Sequence, residues 1–322
     1  MTSESSRSVF AAGHHGMPWC PVPLRAALRT GLLALCWAVA SMAQGAMPPG
    51  VTLSESREFT LASADTGGDY LIQVALPDAP PPAGGYPVLY LLDGNARLPL
   101  VQAARDTLTR RGPEADGSPW LIVAIGYPGV ERFARERRAV DYTPTVAERD
   151  ESDERHGGAE AFLDFIETRL KPAIAARFPV DTECEALFGH SYGGLLTVHA
   201  LMTRPTSFAR YIAISPSLWW YGEAPLAHLA ALGVSEREDG EAPRVMIGVG
   251  GDEQTPREGE LGTPRAERLR ERAMVDNARR FADWLAAHRP GWRVGFSVFP
   301  GEDHGSVMWP ATRAALAFLH SP

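Results

Sequence analysis

The stretch Leu187-Phe188-Gly189-His190-Ser191-Tyr192-Gly193-Gly194 follows a short apolar run and precedes a segment, 195–202, that has the pattern of a helix. A Gly-x-Ser-x-Gly sequence between a strand and a helix is typical of a tight turn that exposes its serine at the end of the strand. Such a turn forces the serine into strained backbone geometry, and a Cβ at Gly189 or Gly193 is expected to collide with the neighbouring strand and helix. The stretch therefore predicts a strand, a sharp turn that presents Ser191, and a helix.

The rest of the chain alternates between apolar strand patterns and helical patterns. Strands are predicted at 57–62, 70–76, 88–92, 120–125, 210–214, 244–249 and 292–299, and helices at 98–110, 159–178, 225–232, 264–288 and 307–319. The first two strands are predicted to form a hairpin, whereas the continuous apolar runs that follow are typical of strands buried on both faces of a parallel sheet. A long segment, 126–157, shows no sustained period and is predicted to be an irregular loop with a functional role. The alternation predicts a single α/β domain over 57–322, built on a doubly wound, mostly parallel sheet of about eight strands.

The N-terminus has the features of a secretory signal. Two arginines precede an apolar run at 31–40, and small residues follow it up to Ala43. This order matches the charged region, apolar region and cleavage site of a signal peptide, and the apolar run is short for a membrane span. We therefore expect residues 1–43 to be an extension and signal peptide that is removed near Ala43, and residues 44–56 to be a linker. The mature protein is then expected in the periplasm, without a stable membrane anchor.

Charge and cysteine content limit the partners of the chain. The 322 residues carry a net charge of -8, and removal of residues 1–43, which contain three arginines and one glutamate, changes this to -10. A surface with this charge does not favour nucleic acid. Cys184 is the only cysteine after residue 43, so no intrachain disulfide is expected. The sequence shows no motif for a metal or cofactor and no signal of an oligomeric state, so a small molecule is the expected ligand.

A serine hydroxyl becomes a good nucleophile only when a base removes its proton and a third group orients that base. In α/β-hydrolases the acid and then the histidine follow the serine along the chain, each after a later strand. Of the nine histidines, His304 is the one in the turn after the last predicted strand, which makes it the candidate base. Asp252 and Glu253 are adjacent in the turn after the preceding strand. We prefer Glu253 as the acid and keep Asp252 as the alternative.

Acyl transfer also needs N–H donors at the position where the oxyanion develops. The backbone N–H of Tyr192, directly after the serine, is the first candidate donor. The second is expected from the turn after the 88–92 strand, where Gly94 and Asn95 are the candidates. An ordinary turn is the other interpretation of these two residues.

Five short motifs accompany the Ser191 turn and carry a family resemblance. They are Tyr90-Leu91-Leu92-Asp93-Gly94-Asn95, Asp141-Tyr142-Thr143-Pro144, Ser215-Pro216-Ser217-Leu218-Trp219-Trp220, Glu253-Gln254 and Asp303-His304-Gly305-Ser306. Together they resemble the putative-esterase (esterase D-like) family of α/β-hydrolases, and most of all its periplasmic esterases for trilactone catecholate siderophores such as enterobactin and salmochelin. The resemblance implies the α/β-hydrolase fold, ester hydrolysis through an acyl-enzyme, and an acid that is weak or absent. Other members of the family cleave feruloyl, acetyl or thioester substrates, which are the alternative.

Charge and aromaticity indicate the residues that bind such a substrate. A ferric tris-catecholate is anionic and aromatic, so Arg137 and Arg138 are expected to contact it, with Trp219 and Trp220 as flat cation–π partners. The other interpretation is that the arginines form a solvated, salt-bridged face and that the tryptophans belong to the core. A hydrolase-fold binding protein without catalysis is a third hypothesis, which the presence of serine, acid and histidine disfavours.

Overall fold

One mixed sheet organises the part of the chain that the computed structural model describes, which is residues 52–109, 119–145, 156–221 and 242–321. Within these residues the eight strands are β1 (Ser56–Ser63), β2 (Gly68–Ala75), β3 (Tyr86–Leu91), β4 (Leu121–Gly126), β5 (Val180–His190), β6 (Arg210–Ile214), β7 (Arg244–Gly250) and β8 (Arg293–Phe299). They lie in the order β1-β2-β4-β3-β5-β6-β7-β8. β2 pairs antiparallel with β1 and β4, and the remaining neighbours pair in parallel. The predicted mostly parallel sheet is confirmed.

Helices cover both faces of this sheet. They are α1 (Gly94–Thr109), α2 (Arg135–Asp141), α3 (Ala159–Phe165), α4 (Lys171–Ala175), α5 (Tyr192–Thr203), α6 (Pro264–Arg272), α7 (Met274–His288) and α8 (Met308–His320). Because side chains alternate along a strand, β3 contributes Val88 and Tyr90 to one apolar cluster and Leu89 and Leu91 to the other. The first cluster includes residues of α3, α5 and α7, and the second includes residues of α1 and α8. The sheet is therefore doubly wound, as predicted.

The segment 126–157, predicted to be irregular, contains the helix α2. The Arg138 N–H donates to the carbonyl of Ala134 at 2.8 Å, and the Tyr142 N–H donates to the carbonyl of Arg138 at 3.0 Å. A helix of seven residues makes too few turns to show a clear apolar period, which is why the sequence did not indicate it. Residues 146–155 of the segment lie outside the described part of the chain.

The helix predicted at 264–288 is two helices, because Ala273 has left-handed backbone geometry with φ 42° and ψ 45°. Its N–H donates to the carbonyls of Leu269 and Arg270, which ends α6. The side-chain amide of Asn277 donates to the carbonyl of Arg272 at 2.9 Å. This bond satisfies another of the carbonyl groups that have no partner within the last turn of α6. Alanine rarely adopts this conformation, so the break has no signal in the sequence. α7 packs on β7 and β8, and both α6 and α7 contact the short turn Leu218–Tyr221.

Two other helix predictions are corrected in detail. α1 begins at Gly94 rather than at residue 98, because the carbonyl of Asp93 accepts the N–H groups of Ala96 and Arg97 at 3.0 and 3.1 Å. The helix predicted at 159–178 is divided into α3 and α4 by a π-helical turn, Ile166–Leu170. The turn lies just before Pro172, which has no N–H and cannot continue the regular hydrogen-bond ladder.

The N-terminal predictions lie mostly outside the described residues. This applies to residues 1–43, to most of the linker 44–56, and also to the helix predicted at 225–232. In the ranges that are described, no helix combines the length and the apolar character that a membrane crossing requires. The signal peptide, the linker and the domain boundary at residue 57 therefore stay predictions.

Candidate active site

Ser191 lies between β5, which ends at His190, and α5, which begins at Tyr192. Its backbone has φ 61° and ψ -120°, a strained conformation for a residue with a side chain. The Ser191 N–H donates to the carbonyl of Ile214 on β6 at 3.0 Å, which holds the turn against the sheet. The side chain is thus presented at the carboxyl end of β5, as the sequence predicts.

Two glycines make this turn possible. A Cβ built at Gly189 would lie 2.1 Å from the carbonyl oxygen of Gly193, and a Cβ at Gly194 would lie 2.9 Å from the carbonyl oxygen of Ile214. Both contacts are shorter than a side chain tolerates. The collision predicted at Gly193 is wrong, because a Cβ there would lie 3.4 Å from Leu92, close to ordinary contact. Gly193 approaches β5 through its carbonyl oxygen, which faces Gly189, and its own Cα has room for a side chain.

Ser191, His304 and Glu253 form one hydrogen-bonded chain. Nε2 of His304 lies 3.0 Å from Oγ of Ser191, and Nδ1 lies 2.6 Å from Oε2 of Glu253. Glu253 ends a 3-10 turn after β7, and His304 follows β8. Because β5, β7 and β8 run in the same direction, the turns that follow them meet at one edge of the sheet. A proton on Nδ1, donated to the carboxylate, leaves Nε2 able to accept the serine proton.

The two candidate acids lie in different environments. Glu253 is 2% exposed, and its Oε1 accepts hydrogen bonds from the Gly250 N–H at 2.7 Å and from the hydroxyl of Ser215. The side chain of Asp252 is 37% exposed and pairs with Arg257 at 3.5 Å. The structure therefore brings Glu253, and not Asp252, to the imidazole. The sequence did not indicate the role of Ser215 in fixing this carboxylate.

The three candidate oxyanion donors lie at the N-termini of two helices. Tyr192 is the first residue of α5, and Gly94 and Asn95 are the first two residues of α1. N–H groups in the first turn of a helix have no acceptor within the helix. The two turns adjoin, since a Cβ at Gly193 would lie 3.8 Å from the carboxylate of Asp93. The side chain of Asn95 is bonded to the backbone after β4, which leaves its backbone N–H as the candidate group.

A buried ion pair joins the turn after β3 to α2. Nε and Nη2 of Arg138 donate to the two carboxylate oxygens of Asp93 at 2.7 and 2.8 Å. The Arg138 side chain is 12% exposed and that of Asp93 is 2% exposed. The Asp93 N–H also donates to the hydroxyl of Tyr142 at 3.1 Å. These bonds fix the residue that directly precedes the candidate oxyanion donors of α1.

The structure separates the two arginines that were predicted to bind substrate. Arg138 lines the cavity beside Ser191. Arg137 lies instead over the rings of Tyr70 and Tyr127, with its guanidinium carbon 5.1 and 4.9 Å from their centroids. It also donates to a backbone carbonyl of β2. The prediction for Arg137 is therefore corrected, because its guanidinium group is held against the sheet and not at the cavity.

The two predicted tryptophans are separated as well. Trp219 lines the cavity, and the guanidinium carbon of Arg272 lies 4.6 Å from its ring centroid. Trp220 lies 4.5 Å from the ring of His156 and 5.5 Å from the ring of Tyr192 and is not among the described lining residues. The structure therefore brings Trp219 to the cavity and packs Trp220 against neighbouring rings, and a contact of either with substrate stays a prediction.

Ser191 and His304 open into a cavity of about 440 Å³. The other described residues that line it are Arg138, Tyr192, Ser217, Trp219, Asp252, Glu253, Arg265, Arg268, Leu269, Arg272, Met274, Asp303 and Gly305. Three of these arginines belong to α6 and were not predicted, because the sequence was interpreted as one continuous helix at 264–288. The sequence did carry a signal for them, since Arg265, Arg268 and Arg272 are three and four residues apart and therefore lie on one side of a helix. Among the described residues, no group of three or more His, Cys, Asp or Glu side chains could hold a metal ion.

His190 connects the nucleophile strand to the turn of the candidate base. Its Nε2 lies 2.8 Å from the backbone oxygen of His304, and its Nδ1 lies 3.1 Å from Nη2 of Arg97. An arginine can only donate, so Nδ1 accepts and Nε2 carries the proton that is donated to His304. Burial lowers the pKa of His190 well below its ordinary value, which keeps the ring neutral. The sequence placed His190 in the turn and indicated no role for it.

The fold and this site together define an α/β-hydrolase with a Ser-His-Glu arrangement. Residues 63–293 match the family described as Putative esterase, and the chain belongs to that family. The siderophore triacetylfusarinine C esterase of Aspergillus fumigatus is 39% identical over 82% of this chain and 92% of its own length. The ferri-bacillibactin esterase of Bacillus subtilis is 33% identical over 81% of this chain and 88% of its own length. The solved structure of siderophore hydrolase EstB from Aspergillus nidulans is similar with a TM-score of 0.73 and 35% identity, covering 84% of this chain and 97% of that one.

Proposed function

We propose that this protein is a serine esterase that cleaves siderophore esters, with Ser191 as nucleophile, His304 as general base and Glu253 as the acid. The observation that carries the proposal is the continuous hydrogen-bonded chain from Ser191 through His304 to Glu253 beside a cavity. Relatives named as siderophore esterases, 33% and 39% identical over most of the chain, support the substrate class.

The chemistry is an acyl transfer in two halves. Nε2 of His304 takes the proton of Ser191 as Oγ attacks the ester carbonyl, and Glu253 stabilises the imidazolium that forms. The backbone N–H of Tyr192, together with that of Gly94 or Asn95, donates to the oxyanion. The C–O bond then breaks, and the departing alcohol takes the proton from the imidazolium. Water, deprotonated by the same histidine, attacks the acyl-enzyme, releases the carboxylic acid and restores the serine.

The proposed substrate is a trilactone catecholate siderophore or a similar anionic aromatic ester. Arg138 and Trp219 line the cavity, and Trp219 provides a flat aromatic surface. The charge of Arg138 is paired with Asp93, so the positive charge comes from Arg268 and Arg272, which line the same cavity. Feruloyl, acetyl and thioester substrates are the alternative, and most of these lack the negative charge that the cavity favours. A binding protein without catalysis is disfavoured by the intact hydrogen-bonded chain.

Product analysis tests this proposal directly. Purified protein is incubated with ferric and iron-free enterobactin, a feruloyl ester and a short-chain acetyl ester, and products are identified by mass spectrometry. Ser191→Ala should lower the rate by more than about a thousandfold with the fold intact, whereas Ser207→Ala, outside the cavity, should not. More than about a tenth of wild-type activity in Ser191→Ala, or labelling by a fluorophosphonate in that variant, would contradict the proposal.

We also propose that the protein acts in the periplasm after export. Support comes from the arginines, the apolar run at 31–40 and the small residues up to Ala43. Protein recovered from a periplasmic extract should begin near residue 44 in N-terminal sequencing. Recovery in the cytoplasm with residues 1–43 still attached would contradict export.

A further inference from the structure

The helix α6 presents a basic face to the cavity. Arg265, Arg268 and Arg272 are three and four residues apart, so they lie on one side of the helix. All three line the cavity, and Leu269 lines it beside them. Arg270 belongs to the same helix and is exposed like the other three, but it is not among the described lining residues. The basic face of α6 is therefore a defined part of the cavity wall and not a general property of the helix.

The three arginines of this face differ in how far their charge is neutralised. Nε of Arg265 pairs with Glu260 at 2.9 Å. Arg272 lies over the ring of Trp219, a contact that leaves the charge in place. Arg268 makes no hydrogen bond or ion pair with any described residue. The centre of the face thus carries a positive charge that the described residues do not compensate.

The carboxylates of the cavity are engaged elsewhere. Glu253 is buried and bonded to His304. Asp303 accepts two backbone N–H groups of its own turn, at 2.8 and 2.9 Å, and these bonds lower the pKa of its carboxyl group. Asp252 pairs with Arg257, which is not one of the described residues that line the cavity. These acids therefore do not neutralise the basic face of α6.

The charge of a catecholate trilactone depends on whether it holds iron. Free catechols keep their protons at neutral pH, so the iron-free trilactone is uncharged. Ferric ion displaces those protons and leaves a complex with net negative charge, whereas a ferric tris-hydroxamate is neutral. A guanidinium group without a partner among the described residues, in a chain with a net charge of -8, favours an anionic ligand at this wall.

We propose that the basic face of α6 is the subsite for the anionic, metal-chelating part of the substrate, so that this esterase prefers the iron-loaded form of a catecholate ester. Arg268 supplies the uncompensated charge, and Trp219 with Arg272 supplies an aromatic and cationic surface beside it. The inference rests on the proposed siderophore esterase function and names the form of the substrate that the site selects.

The test compares ferric and iron-free enterobactin as substrates, with KM and kcat measured for each at low and high salt. Arg268→Gln should raise KM for the ferric form about three- to tenfold, and the double variant with Arg272→Gln should raise it further. The effect on kcat should be smaller, because the lost contact binds ground state and transition state alike. Arg270→Gln is the matched control, since it removes the same charge from the same helix outside the cavity.

Each result decides between the subsite and a simpler explanation. Equal increases of the ferric KM in Arg268→Gln and Arg270→Gln would refute the subsite, because the effect would then be one of net charge. A common increase of KM for both forms of enterobactin would refute it too, since cavity shape and not charge would be responsible. Added salt should raise the KM for ferric enterobactin relative to the KM for the iron-free form, and this change should be larger in the wild type than in the double variant. Failure of the wild type to cleave either form would contradict the proposed function instead.

Discussion

The replacement Glu253→Gln is expected to remove most of the activity and to preserve the fold. Glu253 accepts the Gly250 N–H and the Ser215 hydroxyl at one oxygen and faces Nδ1 of His304 with the other. The Gly250 N–H can only donate, so the amide oxygen of glutamine has to take that position and the NH₂ group has to face His304. Nδ1 must then accept, which moves the imidazole proton to Nε2. That atom is the one that has to accept the proton of Ser191.

The wrong tautomer and the missing negative charge both act on the chemical step. In comparable triads a neutral amide at this position lowers kcat by about ten-thousandfold, which corresponds to about 5.5 kcal/mol of transition-state free energy. We expect a fall of about a thousandfold to ten-thousandfold in kcat, with KM changed by less than about threefold. Asp252→Asn is the matched control. Its exposed carboxylate pairs with Arg257 at 3.5 Å, so we expect less than about a threefold effect.

The assay is hydrolysis of a chromogenic short-chain ester by both variants, with thermal unfolding to show that each is folded. A loss below about tenfold in Glu253→Gln would refute the reasoning, because Ser191 and His304 would then work as a dyad without an acid. A larger loss in Asp252→Asn than in Glu253→Gln would transfer the role to Asp252.

Three further outcomes are expected. Arg138→Gln leaves the Asp93 carboxylate buried without its partner, so urea unfolding should show a loss of about 3 kcal/mol, part of which Asp93→Asn in the same chain should restore. Gly189→Ala places a Cβ 2.1 Å from a carbonyl oxygen and should give little folded protein, whereas Gly291→Ala, with open space around its Cβ, should fold normally. His190 has a pKa lowered by burial, so its contribution to stability is complete above its ordinary value of 6.5 and is lost as the pH falls below it. The free energy of unfolding should therefore decrease below pH 6.5, and His190→Gln should weaken that decrease, as measured by urea titration at several pH values.

The sheet could be predicted because its signals are local. The run at 210–214 was predicted as a strand, and β6 is Arg210–Ile214, since a short apolar segment between turns has few other ways to bury itself. The failures occur where the sequence carries no local signal. The left-handed Ala273 divides a helix without the glycine that usually marks such an end. The helix α2 is too short to show a period.

The sequence predicts the part of the site that lies in the turns directly after the strands. The turns after β7 and β8 hold Glu253 and His304, and the order of acid and histidine after successive strands is sufficient to predict that both lie at the serine. Choosing between Arg137 and Arg138 was not possible, because neighbouring residues on a helix point about 100° apart and α2 was not predicted. The arginines of α6 were missed because the helix that carries them was joined to α7.

The two parts of the candidate site are held by the fold in different ways. The register of the sheet places Ile214 beside His190 and beside Gly248, so the turns that carry the nucleophile and the acid are held by continuous backbone pairing. The helix α6 lies in the connection between β7 and β8, and Ala266 is the one buried residue among its nine. Substitutions on α6 can therefore change the charge of the cavity at small cost in stability, whereas substitutions at the strand ends disturb the nucleophile itself. Substrate selection by charge can thus diverge on this fold while the chemistry at Ser191 stays the same.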